Sequence, residues 1–160
     1  MNESLAANMT MNETEFWRLI ELFEFSWKTL MGDQSKVMRK ALQALSTKSR
    51  EDINKFDDIL ALKLYSLDTR SHASNMGESS FREREHFSAD FFLYARCSVV
   101  ANGQDFYENV LSDPSNMVKG LTFEPLLYLA QNAYETKTNE TYEYCSPTDI
   151  ETYSNQNGWA

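Results

Sequence analysis

The chain has 160 residues, of which 42% are hydrophobic and 13% aromatic, and its formal net charge is −9. This composition predicts one folded domain and argues against a disordered chain. The acidity argues against a nucleic-acid binder, since phosphate recognition needs a basic surface, and against anionic membranes. Among possible partners, a cationic protein fits the net charge best. Acidity that only keeps the protein soluble explains the charge equally well.

No signal peptide and no apolar run of about 20 residues is visible, so a cytoplasmic protein without membrane attachment is predicted. Residues 1–10 are polar and aperiodic and are predicted to form a flexible leader. Two cysteines, Cys97 and Cys145, do not make a disulfide framework.

The first predicted helix starts at Asn12, where Glu15 three residues later completes a start of the capping-box type, and it is expected to end at Gly32. Trp17, beside Phe16, is predicted to be structural and to pack either in the core or at a hinge. The spacing of the helix's apolar residues predicts that they form one stripe of an amphipathic helix; they are Phe16, Leu19, Ile20, Phe23 and Trp27.

Two more helices are predicted next, a short one capped by Asp33 and a longer one starting near Ser49. Their apolar residues are Val37, Ala41, Leu42 and Leu45, and then Ile53, Phe56, Leu60 and Leu64. Asp57 and Asp58 lie beside the second apolar row and are interpreted as a solvated flank.

Residues 66–87 are polar, charged and aperiodic and predict a long loop, with a short helix at residues 81–85 as an alternative. Loops of this length in a compact domain are often functional, which makes this segment the first candidate for a binding surface. Its candidate contacts are Glu78, Glu83 and Glu85.

Three further helices are predicted, from Ser88 to Asn102, from Gln104 to Leu111 and from Phe123 to Thr136. Arg96 falls within the apolar segment FFLYARCSVV and is predicted to be buried, with a structural bond to a carboxylate such as Asp90.

After these helices the chain becomes acidic and aromatic. Residues 141–160 are expected either to be disordered or to pack as an irregular strap. Glu140, Tyr142, Glu143 and Tyr144 combine carboxylates and tyrosines, which is typical of a surface that orients and anchors a basic protein. The sequence thus predicts an all-α, compact single-domain bundle of about six helices over residues 11–140.

No metal, cofactor or catalytic motif is recognisable in the sequence. His72 and His86 have no second ligand at helical spacing, and no phosphate-binding or nucleophile-elbow motif is present. Cys97 with His86 is the only nucleophile and base pair worth naming, but Cys97 lies among apolar residues, where a thiolate is disfavoured. A non-enzymatic protein without a cofactor is therefore predicted.

Four segments stand out in this order along the chain: NETEFWRLIE, LQALSTKSREDINKFDDIL, DFFLYARCSVVANGQDFYENVLSDPSNM and FEPLLYLAQNAYETKTN. Together they resemble the bacterial domain of unknown function 4240 family. In the third segment, Phe92, Tyr94, Arg96, Gly103, Asp113 and Pro114 match the family pattern, whereas Ser98 replaces its tryptophan. The resemblance implies a helical domain without known catalysis. Members of such families often sit beside polymorphic toxin genes and look like immunity proteins.

These observations lead to one hypothesis and two alternatives. The first is an immunity protein, or antitoxin, that occludes the active site of a co-encoded antibacterial toxin domain with a basic surface. The alternatives are a regulatory or scaffold module for another intracellular protein and an enzyme that reverses a toxin's covalent modification.

Overall fold

The computed structural model of the chain describes residues 10–25 and 32–160. Over these ranges the secondary structure is helical, with no β-strand, which confirms the predicted all-α class. Residues 1–9 of the predicted leader, and Trp27 of the predicted first stripe, lie outside the described residues.

The α-helices, in chain order, are α1 (Glu13–Ile20), α2 (Arg39–Ser46), α3 (Arg50–Ser66), α4 (Arg70–Ala73), α5 (Ala89–Ala101), α6 (Gln104–Ser112), α7 (Leu129–Thr138) and α8 (Gln156–Trp159). Short 3-10 helices occupy Gln34–Met38, Gly77–Ser79, Pro114–Asn116 and Glu124–Tyr128. None of the helices in the described ranges is long and apolar enough to cross a membrane. The chain divides into two compact units, one of Met1–Leu60 with Pro125–Pro147 and one of Ala61–Glu124 with Thr148–Ala160.

Helix α1 begins where the sequence predicted it, because the Asn12 side chain accepts a 2.9 Å hydrogen bond from the backbone N–H of Glu15. It ends at Ile20, so its predicted continuation across residues 21–25 is wrong, and residues 26–31 of the predicted extension lie outside the described ranges. The backbone N–H groups of Leu22 and Phe23 bond in tight turns to carbonyls three residues back. The apolar spacing across residues 20–23 therefore belongs to a turn that follows the helix.

Among the described residues of the first unit, the core is made of apolar side chains apart from one ionic cluster. Phe16 packs against Phe56 of α3 with ring centroids 4.9 Å apart and against Trp17 at 5.0 Å, and both α1 aromatics are buried. Trp17 therefore has the structural place predicted for it. Helix α2 packs mainly against α7 and also contacts α1.

The ionic cluster is centred on Glu15, which is fully buried. Its carboxylate accepts hydrogen bonds from Arg18 at 2.6 and 2.7 Å and lies 2.8 Å from the buried ammonium of Lys48. Glu15 thus does not return to the Asn12 N–H, and the predicted capping box is only half formed. Burial opposes its ionisation, but the bonds from Arg18 and Lys48 outweigh burial and hold the pKa of Glu15 below its ordinary value.

In the second unit, α5 starts at the predicted cap, Ser88, whose hydroxyl accepts from the N–H of Phe91 at 3.1 Å. The helix is buried on nearly every side from Phe92 to Ala101. On α6 the buried residues are Tyr107 and Val110, whereas Leu111 is 40% exposed. The Tyr107 hydroxyl donates to the carbonyl of Lys63 at 3.0 Å, which anchors the end of α3.

The predicted long loop at residues 66–87 contains more buried structure than its polarity indicated. Leu67, Asp68, Ala73 and Met76 are buried, and so is His72 in the short helix α4. The His72 ring bonds through Nδ1 to the Thr69 hydroxyl and through Nε2 to the Val110 carbonyl. The alternative helix at residues 81–85 is wrong, because the chain turns there with Arg84 at a φ of +67°.

Candidate functional site

The strongest candidate site lies in the first unit, where the acidic tail crosses the polar face of α3. The Tyr144 hydroxyl donates to both carboxylate oxygens of Asp58, at 2.7 and 2.9 Å, and the Tyr142 hydroxyl donates to Asp57 at 3.4 Å. Asp57 and Asp58 are therefore half-buried partners of the tail, and their interpretation as a solvated flank is wrong. This part of the tail packs as the irregular strap, one of the two alternatives that the sequence left open.

A groove of about 520 Å³ opens between α3, α7 and the strap. Its volume falls in the range of roughly 300–1,000 Å³ that is usual for ligand sites. Four predicted contacts line it together. The lining residues are Asn54, Tyr134, Asn139, Glu140, Thr141, Tyr142, Glu143 and Tyr144.

The walls of the groove are aromatic. Tyr134 and Tyr142 have ring centroids 5.1 Å apart, and Tyr142 and Tyr144 have centroids 6.3 Å apart. Edge-tilted pairs at such distances hold one another in place and present fixed ring faces. The tyrosine faces are thus preorganised for stacking.

A cation of the chain itself already binds at the edge of this wall. The Arg50 guanidinium lies 5.6 Å from the centroid of Tyr134 and donates to Glu140 at 3.1 Å and to the Tyr134 hydroxyl at 3.4 Å. Glu143 has no hydrogen bond or ion pair with any residue in the described ranges. One rim carboxylate is therefore neutralised and the other is available.

The electrostatics beneath the groove favour added positive charge. Burial raises the pKa of Asp57 to about 6, and the neighbouring charge of Asp58 contributes. The hydrogen bond to Asp58 raises the pKa of Tyr144 to about 12, and burial beside Asp57 raises the pKa of Tyr142 as well. The shift of Asp57 reflects the cost of burying a negative charge beside that of Asp58, and a cation in the adjacent groove would reduce this cost.

The other three predicted contacts belong to the second unit. Glu78, Glu83 and Glu85 are all exposed. Glu83 lies 3.3 Å from Arg70 and Glu85 lies 3.5 Å from Arg82, so two of the three charges are paired locally. Exposed pairs of this kind contribute little energy and give these glutamates no common pocket.

The second unit has its own polar centre around Arg96, which is fully buried as predicted. The expected bond to a carboxylate such as Asp90 is wrong. The guanidinium donates instead to the carbonyls of Leu64 and Ile150 and to the hydroxyl of Thr152, at 2.9–3.1 Å, and it lies over the Phe92 ring. Backbone carbonyls near the end of α3 and in the tail thus take the place of a carboxylate partner.

Asp68 is the matching buried anion, and it holds the end of the chain. It accepts from the N–H groups of Tyr153 and Asn155 and from the indole N–H of Trp159, the last at 2.8 Å. The Trp159 ring packs against Phe81 and Phe92 with centroids 5.3 and 6.1 Å away. Residues 148–160 are therefore held in the second unit by hydrogen bonds to Asp68 and by the aromatic packing of Trp159.

The candidate nucleophile of the sequence is not accessible. Cys97 is completely buried, and burial raises the pKa of its thiol to about 12, whereas His86 is exposed. Among the described residues no group of three or more His, Cys, Asp or Glu side chains could hold a metal ion. What the groove can do chemically is bind a cationic, hydrogen-bond-donating group.

Sequence reasoning missed Asn54, Tyr134 and Arg50 as members of the site. A signal for them existed, because Arg50, Asn54, Asp57 and Asp58 recur at i, i+4, i+7 and i+8. That spacing places them on one face of a helix. The face reads as ordinary solvated surface until the strap is seen to cover it.

No curated protein and no solved structure shows significant similarity to the chain. One family does, the family described as "Protein of unknown function (DUF4240)", whose sequence profile matches residues 11–136. This segment takes in α1 to α6 and most of α7, and its bounds agree with the resemblance found from the four ordered segments. Because the match spans well over half of the chain, the protein belongs to the DUF4240 family.

Proposed function

We propose that this protein is an immunity protein that neutralises a co-encoded antibacterial toxin domain by binding over its basic active-site surface. One observation carries the proposal, namely the groove in which three tyrosine rings and the carboxylates of Glu140 and Glu143 face the same space. Tyrosine is enriched at the centres of protein interfaces, and fixed carboxylates give register against a basic partner.

The charge of the whole chain supports the same kind of partner. A net charge of −9 steers a cationic protein toward the surface and raises its association rate. Toxin domains that bind or cleave nucleic acids need a basic surface, which an acidic immunity protein can cover. The family resemblance adds the association with toxin genes, and it does so as analogy.

The proposal is tested by co-expressing the protein with the product of the adjacent gene and scoring host survival and co-purification. Survival together with a one-to-one complex is the expected result. Protection by substoichiometric amounts would instead indicate an enzyme that reverses the toxin's modification. If the host does not survive and no complex is found, the immunity proposal is overturned. The protein is then a binding module for another intracellular protein.

Charge reversal locates the binding surface within such a complex. Glu143→Lys should slow association at least tenfold, because it reverses the unpaired carboxylate at the groove. Glu83→Lys serves as the matched comparison, since it also reverses one exposed charge, and that charge is already paired with Arg70. A larger effect of the loop variant than of Glu143→Lys would assign the interface to residues 78–85.

A further inference from the structure

The side chains around the groove offer mostly hydrogen-bond acceptors. The hydroxyl protons of Tyr142 and Tyr144 are both directed to carboxylates of α3, so their oxygens can only accept further bonds. Glu143 adds an unpaired carboxylate. An acceptor-rich space of this kind favours a ligand that donates several hydrogen bonds and carries positive charge.

The floor of the groove supplies a second, independent observation. Asn54 lines the groove, and its Oδ1 is buried without a hydrogen-bond partner among the described residues. A buried acceptor left without a donor lowers stability, because the loss of its bond to water is not compensated. Because this oxygen is shielded from solvent, the Asn54 amide has to rotate toward the groove before a donor bound there can remove the penalty.

We infer that the groove is a subsite for one arginine side chain of the partner, with the guanidinium stacked on the tyrosine faces and bonded to Asn54 and Glu143. This inference rests on the proposed function, since it names the partner group that the same groove receives. The rings are planar stacking surfaces, which suit a guanidinium better than an ammonium. Arg50 binds to Tyr134 and Glu140 at the edge of the same wall in this manner, which shows that the lining accepts a guanidinium.

The test uses the full-length protein and three small probes, namely the N-acetyl methylamides of arginine, lysine and citrulline. Citrulline has nearly the shape of arginine but no charge. Binding is followed by the NMR shifts of the Asn54 side-chain amide and the tyrosine rings. The arginine probe should saturate these shifts with a dissociation constant on the order of millimolar, as expected for a single side chain, and citrulline should bind at least tenfold more weakly.

Two variants separate a specific subsite from general attraction. Glu143→Gln should weaken the arginine probe about three- to tenfold by removing one charge-assisted bond. Glu51→Gln is the control, because it removes the same charge from an exposed position of α3 that does not line the groove, and it should leave binding unchanged. Equal losses in both variants would overturn the subsite, and so would equal binding of citrulline or lysine.

The outcome is distinguishable from failure of the immunity proposal. If the arginine probe binds as expected but the neighbouring toxin forms no complex, the groove keeps its ligand chemistry and immunity is refuted. If the toxin complex forms but neither Glu143→Gln nor excess arginine probe weakens it, the arginine subsite is refuted and immunity stands.

Discussion

Replacing Lys48 by methionine should be among the most damaging single changes in the first unit. The substitution keeps the length of the side chain but removes an ammonium 2.8 Å from Glu15, where both side chains are at most 1% exposed. Removing one partner of a buried ion pair costs about 3–5 kcal/mol. Arg18 still bonds to Glu15 and is itself 32% exposed, so we expect the lower end, about 3 kcal/mol. That is a large fraction of an ordinary domain's stability of about 5–15 kcal/mol.

The pH dependence of this loss follows from the sign of the pKa shift. The pKa of Glu15 is lowered in the folded protein, so the stability that its ionised form contributes is present at neutral pH and is lost as pH falls through that lowered value. The difference between wild type and Lys48→Met should therefore be largest near pH 7 and shrink toward pH 3. Adding Glu15→Gln to Lys48→Met removes the stranded charge and should restore about 2 kcal/mol.

Urea unfolding followed by helical circular dichroism at pH 7 and pH 3 measures these differences. Lys40→Met is the matched control, because Lys40 pairs with Glu24 on the surface, where the two side chains are 60% and 59% exposed. Such a pair contributes less than about 1 kcal/mol. If Lys48→Met costs no more than Lys40→Met, or costs the same at both pH values, Glu15 does not depend on Lys48 for its charge and the reasoning fails.

Three further predictions concern other parts of the molecule. Burial raises the pKa of Asp57 to about 6, so the stability that its protonated form contributes is lost as pH rises through 6. Asp57→Asn should therefore be more stable than wild type in urea at pH 7.5 but not at pH 4.5. A Cβ on Gly158 would lie 2.9 Å from the carbonyl oxygen of Asp68. Gly158→Ala should therefore lower the free energy of unfolding by about 1–3 kcal/mol and shift the tryptophan fluorescence. An unchanged stability would contradict this packing. In the native protein Cys145 should react rapidly with a thiol reagent while Cys97 reacts only in denaturant, and two fast thiols would show that α5 is not buried as described.

The positions of most helices were predictable because their signals are local. Asn12 and Ser88 cap α1 and α5 as their side-chain chemistry indicates, and Asp33 caps the 3-10 turn before α2. One exception is the end of α1, where apolar spacing continued past Ile20, and another is the start of α7, which lies at Leu129 after a 3-10 helix and not at Phe123 as predicted. Periodicity reports which residues are apolar on one face, and a turn that buries the same residues preserves part of that spacing.

The candidate site was predictable only on one of its sides. Tyr142 and Tyr144 were identified because tyrosines and acids cluster in the tail. The two tyrosine hydroxyls donate hydrogen bonds to Asp57 and Asp58, which lie 85 and 86 residues away in the chain. No spacing rule connects positions so far apart. Polar residues on a helix are most often solvated, so the sequence favoured that interpretation.

The sequence by itself therefore determined the helical class, the starts of α1, α3, α5 and α6, and the acidic, aromatic character of the tail. Only the tertiary structure decided which charges are buried and which groups they bind: Glu15 with Lys48, Arg96 with backbone carbonyls, and Asp68 with the last residues of the chain. The physical reason is that helix propensity, capping and periodicity act within a few residues. The partner of a buried polar group is instead whichever donor or acceptor the packed chain brings within about 3 Å of it.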